Sequence, residues 1–304
     1  MLEKKNTKFK WIVANASQGE DMTYLRDKLG IDSEILSYAS DKNELSHLEY
    51  DRITGQLVVI YNVLDITKQD FHYQTSPMTF FVNQNQIVSI FNEKNAYIIE
   101  QLDHLFRKQE DLSLFQFLFI ALFTISKNYF PTVESLNQER NRLNHLLRQR
   151  TSKKELLELS DLQTGLVYLV SASKQNTLLL NQLKSQPLMS KLTEDEKEQL
   201  EDAVIEARQL LEMTQLSSQV LGQLDDAYNN ILNNELNDTM KILTLLSILL
   251  TVPDMVTGFF GINVPLPSIL TKTPLGWLIV IGIAVVLWFV MAAILSFLMD
   301  YRRK

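Results

Sequence analysis

The sequence predicts a soluble α+β domain, a long stalk helix and a C-terminal hairpin of two transmembrane helices. Charge divides sharply along the 304 residues: up to residue 239 there are 24 basic and 34 acidic residues, a formal charge of −10, and only seven charged residues follow. Residues 277–299 form an uncharged run, long enough for a helix to cross roughly 30 Å of hydrocarbon. Strand-like segments occur only before residue 92.

The α/β part of the soluble domain is predicted at residues 1–92. Runs rich in Val, Ile, Phe and Tyr favour strands, and the two segments between the first two strands favour helices. The predicted strands are residues 10–14, 57–63, 79–83 and 86–91, the last two joined by a turn at 83–85, and the predicted helices are 19–29 and 32–39.

Residues 93–192 are predicted to be the helical part of the same domain. Breaks at Pro131 and before Pro187 give helices near 94–129, 132–185 and 194 onward. An apolar run at 112–125 is only 14 residues long. That length is too short to span a bilayer, which favours a buried core helix over a third membrane segment.

A stalk helix is predicted at residues 193–241. Thr193 is a good N-cap with Glu196 three residues later, which is the pattern of a capping box. From there to Val252 the chain has no Pro and a single Gly. A helix of about 60 residues would be about 90 Å long. Such a helix must pack against copies of itself or against the shorter helices, and it runs directly into the membrane.

The membrane hairpin is predicted to consist of helices at 242–263 and 277–299, joined by a Pro-rich loop at 264–276 and followed by a basic tail at 300–304. Lys241 precedes the first helix, and three basic residues follow the second. Because Lys and Arg concentrate on the cytoplasmic side of a membrane, both termini are predicted to be cytosolic and the loop extracytoplasmic. We expect a multi-pass protein of the plasma (inner) membrane.

Composition and motifs exclude several functions. An acidic soluble part argues against nucleic-acid partners, which need dense Lys and Arg. The chain has no P-loop, GxSxG or GxGxxG sequence, so no nucleotide partner is expected. Cys is absent, and the four His residues lack metal-ligand spacing. We therefore expect no enzyme activity, no catalytic residues and no cofactor. The N-terminus has no long apolar run and does not resemble a secretory signal.

One face of the long helix is polar from the stalk into the apolar segment. Steps of three and four residues keep positions on one helix face. Eleven of the twelve positions on this face, which we call the polar stripe, are polar or Gly: Gln219, Gln223, Asp226, Asn230, Asn233, Asn237, Met240, Thr244, Ser247, Thr251, Asp254 and Gly258.

The polar stripe has two explanations inside the bilayer, where lipid offers hydroxyl groups no hydrogen-bond partners. Small and hydroxyl residues can form a tight helix–helix interface. Alternatively, several identical helices can line a water-filled pore. An ionisable residue within a membrane segment is by default functional, so Asp254 favours the pore.

The end of this helix also carries a family signature. It reads Asn237-Asp-Thr-Met240-Lys241-Ile-Leu-Thr244, then Pro253, then Gly258-Phe-Phe-Gly261-Ile262-Asn263. This resembles the N-x-x-M-K-x-L-T run, mid-helix Pro and Gly-x-x-Gly-Met-Asn end of the CorA superfamily of divalent-cation transporters. The order of soluble domain, stalk, hairpin and basic tail is similar along the whole chain.

The resemblance implies a funnel-shaped homopentamer with one central pore. Gly261, Ile262 and Asn263 would form its outer mouth, where five Asn side chains hold a cation through its water shell. Successive rings below would be formed by Asn237, Met240, Thr244, Ser247, Thr251 and Gly258. In the family, divalent ions between cytosolic domains favour the closed state. Six acidic residues are candidates for that role, although a solvated helix N-terminus explains them equally well: Glu194, Asp195, Glu196, Glu198, Glu201 and Asp202.

The sequence departs from the family pattern in ways that bear on the transported ion. It has Gly-Ile-Asn in place of Gly-Met-Asn, no acid in the outer loop, and Asp254 on the polar stripe. Five carboxylates in one ring could hold a cation directly or couple transport to protons. We expect Mg²⁺ as the transported ion, with Co²⁺ and Ni²⁺ possible. The alternatives are a Zn²⁺ transporter of the same superfamily, with or without proton coupling, and a membrane-tethered coiled-coil scaffold or sensor without a pore.

Overall fold

A computed structural model describes residues 1–109, 111–149, 152–262 and 275–303. Six strands are present in this part of the chain: β1 Leu2–Lys5, β2 Lys10–Asn15, β3 His47–Tyr50, β4 Leu57–Leu64, β5 Thr75–Asn83 and β6 Gln86–Phe91. The α-helices are α1 Gly19–Asp27, α2 Ser33–Ser40, α3 Ala96–Lys108, α4 Leu114–Lys127, α5 Phe130–Gln149, α6 Lys153–Lys184, α7 Glu194–Phe260 and α8 Gly276–Arg303. A 3₁₀ turn, Pro187–Lys191, precedes α7. The chain forms two compact units, residues 1–225 and 226–304.

The six strands of the first unit form one sheet in the order β1-β2-β6-β5-β4-β3. The β2–β6 pair is parallel and the other four pairs are antiparallel. The four predicted strands and the β5–β6 turn are confirmed. The two edge strands, β1 and β3, were not predicted, because each is only four residues long and lacks a continuous apolar pattern; β1 is mostly exposed and β3 is mostly half-buried.

Helices cover both faces of the sheet. On one face, Leu25 of α1 and Ile35 of α2 belong to the same core cluster as Ile12 and Ile60. On the other face, the Trp11 ring lies 5.0 Å from the Phe117 ring of α4 between centroids. All eight residues of β4 are buried. A strand that is covered on both faces loses the alternation of polar and apolar residues, which explains the continuous apolar pattern of β4.

The helical part of the first unit differs from the prediction in two places. A single helix over residues 94–129 is wrong, because α3 ends at Lys108 and α4 begins after Ser113, whose side chain caps it in a capping box with Gln116. A single helix over residues 132–185 is also wrong, because α5 ends at Gln149 and α6 begins at Lys153. The apolar run at 112–125 corresponds to α4, and its prediction as a buried core helix is confirmed.

The start of the long helix is fixed by the predicted capping box. The Thr193 amide donates to Glu196 Oε2 at 2.8 Å, and the Glu196 amide donates to Thr193 Oγ1 at 3.3 Å. The other carboxylate oxygen of Glu196 accepts from Ser113 Oγ at 2.5 Å. The first turn of α7 is therefore bonded to the first turn of α4.

A polar network joins α6 to the sheet beside the start of β3, where the pairing of β3 with β4 stops. β3 pairs with β4 only as far as Ile60. Beyond that point the Asn62 amide donates to Asn176 Oδ1 at 2.9 Å, and the Asn62 carbonyl accepts from Asn176 Nδ2 at 2.8 Å. Tyr129, in the turn between α4 and α5, donates to the same carbonyl at 2.8 Å. The Asn176 side chain thus takes the place of the missing strand.

The second unit contains two helical segments that are long and apolar enough to cross a membrane. One is the apolar part of α7, with a mean hydropathy of 1.8, and the other is Gly276–Phe297, with a mean hydropathy of 3.1. α7 continues through Pro253 to Phe260. Asn263, most of the predicted loop at 264–276, and Lys304 lie outside the described residues.

Candidate ion pathway

The polar stripe is exposed along its whole length in the protomer. All twelve of its positions, from Gln219 to Gly258, are exposed. In the apolar part of α7, the shielded residues lie elsewhere: Leu245, Ile248, Leu249, Val252 and Val256 are half-buried or buried. The stripe is therefore available to water or to other copies of the chain.

The shielded residues of α7 lie opposite the polar stripe. Val256 follows Ser247 by nine residues, which is two and a half turns at 3.6 residues per turn, so the two point in opposite directions. α8 has its own half-buried line at Val280, Ala284 and Trp288. Matching shielded lines are what two helices packed side by side produce. The polar stripe thus lies on the face of α7 that points away from the shielded residues.

The three hydroxyl groups of the stripe donate to the helix backbone. Thr244 Oγ1 donates to the Met240 carbonyl, Ser247 Oγ to the Leu243 carbonyl and Thr251 Oγ1 to the Ser247 carbonyl, each at 2.8 Å. A hydroxyl has one proton and two acceptor lone pairs. Because each proton is already used, these groups offer acceptor oxygens to whatever lies along the stripe. This property is not visible from periodicity alone.

Asp254 lies on the stripe as an exposed carboxylate directly after Pro253. Proline has no amide proton, so the Leu249 carbonyl loses its usual helical partner at this point. The helix nevertheless continues, and Asp254 and Gly258 remain exposed in line with the preceding positions. The predicted phase of the stripe thus extends beyond the proline.

The outer end of α7 depends on Gly261. Its amide donates to the Thr257 carbonyl at 2.9 Å. A Cβ atom at this position would lie 3.0 Å from the Thr257 carbonyl oxygen, closer than side chains tolerate without a shift. Gly261 therefore permits the tight end of the helix, and Ile262 follows as an exposed residue. Asn263, the third residue of the predicted mouth, is outside the described residues.

The inner end of the apolar segment carries an ion pair. Lys241 Nζ lies 2.7 Å from Asp238 Oδ1, three residues earlier on α7. Both side chains are exposed, and such a surface pair contributes about 0–1 kcal/mol. Asn237 and Met240 of the stripe are exposed beside it.

The acidic residues at the start of α7 have structural partners in several cases. Glu196 is almost fully buried and uses both oxygens in the capping bonds described above. Glu194 pairs with Lys197 at 2.7 Å, and Glu201 pairs with Lys184. Within the described residues, no group of three or more His, Cys, Asp or Glu side chains is arranged to hold a metal ion.

Comparisons with known proteins agree on one family. The family described as "CorA-like Mg2+ transporter protein" matches residues 6–303. The "Cobalt/magnesium transport protein CorA" of Methanocaldococcus jannaschii is 25% identical over 302 residues, covering 97% of this chain and 90% of the relative.

Solved structures show the same fold. The complete CorA magnesium transporter structure from Methanocaldococcus jannaschii superimposes with a TM-score of 0.79 at 23% identity, covering 96% of this chain and 92% of that one. The cytoplasmic domain of ZntB from Vibrio parahaemolyticus gives a TM-score of 0.55 at 10% identity, covering 75% of this chain and 89% of that one.

Proposed function

The chain belongs to the family of CorA-like Mg²⁺ transporter proteins, a family of membrane transporters of divalent cations, and we propose that it forms a homopentameric channel that moves Mg²⁺ through a central pore lined by α7. In this proposal Asn237, Met240, Thr244, Ser247, Thr251, Asp254 and Gly258 line the pore, and Gly261, Ile262 and Asn263 form its outer mouth. The stalk, membrane and loop boundaries are those predicted from the sequence. The family consists of transporters, so the chain is not an enzyme.

The observation that carries the proposal is the position of the polar stripe. It is exposed on the face of α7 opposite the shielded residues, and it continues through the segment that is apolar enough to cross a membrane. Polar groups at that depth are tolerated where they line a water-filled cavity or meet other protein. Several copies arranged with their stripes inward would satisfy this requirement around one axis. A scaffold without a pore would not require polar residues along this face of the membrane segment.

The chemistry of the stripe suits a hydrated cation. Mg²⁺ dehydrates reluctantly and usually keeps several waters. The waters around a cation direct their protons outward, so the lining must accept hydrogen bonds. Thr244, Ser247 and Thr251 present acceptor oxygens because their own protons are bonded to backbone carbonyls. Such a lining lets the ion pass with its water shell and binds it weakly enough for release.

The ion and the orientation are further parts of the proposal. The relative from Methanocaldococcus jannaschii is named for cobalt and magnesium, which supports Mg²⁺ first and Co²⁺ second, with Ni²⁺ also of suitable size. Zn²⁺ transport, with or without protons, is the alternative raised by the Gly-Ile-Asn sequence. Lys241 and the basic tail support a location in the plasma membrane with both termini in the cytosol, because Lys and Arg concentrate on the cytoplasmic side.

The test is cation flux into liposomes that contain the purified full-length protein. We expect uptake of Mg²⁺ without added nucleotide, and we expect Asn263→Ala to lower it severalfold because each copy loses one amide oxygen at the mouth. Flux that is unchanged by Asn263→Ala would count against the mouth and the channel. Uptake of Zn²⁺ in preference to Mg²⁺, increasing with an inward proton gradient, would support the zinc alternative.

A second prediction concerns the acceptor oxygens. Thr251→Val preserves the shape of the side chain and removes its acceptor, so we expect Mg²⁺ flux to fall severalfold. Thr257→Val is a matched control, because Thr257 makes the same kind of bond, to the Pro253 carbonyl at 3.0 Å, but lies about 100° around the helix from Gly258. Equal losses in both variants would assign the effect to helix stability rather than to the pore lining.

A further inference from the structure

The hairpin formed by α5 and α6 carries a concentration of positive charge where its two helices join. Residues 140–154, which span the end of α5 and the start of α6, contain six Lys or Arg residues and no Asp or Glu. The remaining residues up to 239 contain nearly twice as many acidic as basic residues. A basic segment within a domain of opposite net charge is a candidate for binding a negatively charged surface.

The acidic residues that follow this segment have partners within the hairpin. Arg142 Nη2 lies 2.7 Å from Glu158 Oε2, and Lys154 Nζ lies 3.8 Å from Glu158 Oε1. Glu155 accepts a hydrogen bond from the hydroxyl group of Ser152, the residue before α6. These two acids therefore neutralise part of the charge of Arg142 and Lys154 and face no other basic residue of the segment.

The charges nearest the end of the hairpin are left unbalanced. Arg148 and Lys153 are exposed, and within the described residues neither forms an ion pair with an acidic side chain. The Lys154 side chain is 81% exposed, and a long, exposed pair such as its contact with Glu158 contributes little. We define the basic end of the hairpin by Arg148, Lys153 and Lys154.

Apolar side chains support the hairpin close to this end. Leu143 and Leu147 near the end of α5 are buried, as are Leu159 and Leu162 near the start of α6. The two helices are in contact with each other. A surface that is already held in position loses little conformational freedom when it binds. The basic end is thus presented by a packed helical support.

α6 runs antiparallel to the first part of α7. Thr177 Oγ1 donates to the Ala207 carbonyl at 3.1 Å, and Lys184 pairs with Glu201, so later positions on α6 lie beside earlier positions on α7. The basic end is about 45 Å along α6 from Lys184, in the direction in which α7 advances through the first unit. The acidic first turns of α7 are therefore too far away to neutralise it. α7 itself continues as one helix to Phe260 and contains the segment that is apolar enough to cross a membrane.

We propose that the basic end of the α5–α6 hairpin binds anionic lipid headgroups of the membrane in which the protein is embedded. Charge complementarity selects this occupant, because the cytoplasmic leaflet has a negative surface potential that attracts basic segments. Each Lys or Arg near such a surface strengthens the contact about fivefold. The inference rests on the proposed function in one respect, because the first unit must face the cytosol, and it does not depend on the ion that is transported.

Fluorescence quenching of a single label tests the contact, because the chain has no Cys of its own. Full-length protein carrying His145→Cys, an exposed position three residues before Arg148, is labelled with a neutral fluorophore. It is placed in nanodiscs of phosphatidylcholine alone, or of equal parts of phosphatidylcholine and phosphatidylglycerol. We expect quenching by aqueous acrylamide to be severalfold weaker with the anionic lipid. Raising the salt from about 0.1 M to about 1 M shortens the Debye length from about 10 Å to about 3 Å and is expected to restore the quenching.

Variants that remove charge separate lipid binding from other effects. Arg148→Gln combined with Lys153→Gln is expected to weaken the lipid-bound state about 25-fold, so the protection of the label should disappear. Lys174→Gln combined with Lys191→Gln removes the same charge from exposed positions of α6 and the 3₁₀ turn, and should leave the protection as in the parent. Leu178→Cys is the reference label site: it is 54% exposed and lies towards the other end of α6, so it should be quenched equally in both lipids.

The possible results distinguish the occupants. Strong quenching at position 145 in both lipids would overturn the proposal, because the basic end would then remain in water. Weak quenching in both lipids would also overturn it and assign the basic end to a protein contact. Protection produced by inorganic phosphate in phosphatidylcholine nanodiscs would assign it to a free anion. Mg²⁺ flux is measured separately: lipid-dependent protection without flux would reject the channel and leave this contact standing, and flux without protection would do the reverse.

Discussion

Replacing Asp254 with Asn is expected to lower Mg²⁺ flux at least tenfold when the external concentration is far below saturation. A carboxylate about 5 Å from a divalent cation contributes about 1.7 kcal/mol of attraction even at the dielectric constant of bulk water. About 1.4 kcal/mol corresponds to a tenfold change in affinity. Every copy contributes one Asp254 to the proposed ring. The substitution therefore removes one negative charge from each copy, and the total loss of charge at the ring is larger than one.

The measurement is the concentration dependence of Mg²⁺ uptake by liposomes. We expect the half-saturating concentration to rise in Asp254→Asn, and the maximal flux to change less, because a weaker site also releases its ion more readily. Asp238→Asn is the matched control: this aspartate is exposed on the same helix, but it is nine residues from Ser247 and so lies on the opposite side. If both variants behave alike, the effect of Asp254 is not a property of the pore.

The same pair of variants tests proton coupling. Under the alternative of proton-coupled transport through the Asp254 ring, an inward proton gradient is expected to raise cation uptake by the parent protein. This dependence should vanish in Asp254→Asn and persist in Asp238→Asn. An Asp254→Asn protein that responds to a pH gradient as the parent does would remove the ring from any coupling mechanism.

The polar stripe and the helix that carries it are predictable because they depend on local periodicity. Positions three and four apart share a helix face whatever the rest of the fold does, and α7 begins at Glu194 after the predicted cap. The break before α4 also has a local signal. Ser113 followed three residues later by Gln116 is a capping pattern, although the apolar residues that follow fit a continuous helix equally well.

The orientation of hydroxyl groups and the position of Phe71 are not predictable in the same way. The sequence places Thr251 on the stripe, but only the structure shows that its proton is bonded to the Ser247 carbonyl. Phe71 in the sequence is one apolar residue in a polar loop. Only the structure shows that it is exposed with a positive φ, next to His72, whose ring stacks on Tyr168 almost a hundred residues later. Contacts of such sequence separation have no local signal.

The polar network around Asn62 is non-local in the same sense, and it is expected to be a main determinant of stability in the first unit. Replacing Asn176 with Ala is expected to lower the free energy of unfolding by about 2–4 kcal/mol, because leaving a buried donor or acceptor without its partner costs about 1–3 kcal/mol each. The buried Asn62 amide and carbonyl both lose a bond to this side chain.

The remaining partners set the size of the effect. The Asn62 carbonyl keeps the hydroxyl of Tyr129, and the Asn62 amide keeps a longer bond to Ser46 Oγ at 3.1 Å, so the loss should stay below that of two wholly unpaired groups. Burial raises the pKa of Tyr129 well above its ordinary value, so this hydroxyl remains a donor at any pH used. The destabilisation by Asn176→Ala should therefore be the same across neutral and mildly alkaline pH.

Thermal unfolding of the full-length protein in detergent measures this effect, with Asn181→Ala as the control. Asn181 is on the same helix, but its side-chain amide donates only to the Thr177 carbonyl within α6, and its replacement should change stability by less than about 0.5 kcal/mol. Similar unfolding temperatures for the two variants would show that the Asn176 bonds add little, and that α6 is held to the sheet by apolar packing alone.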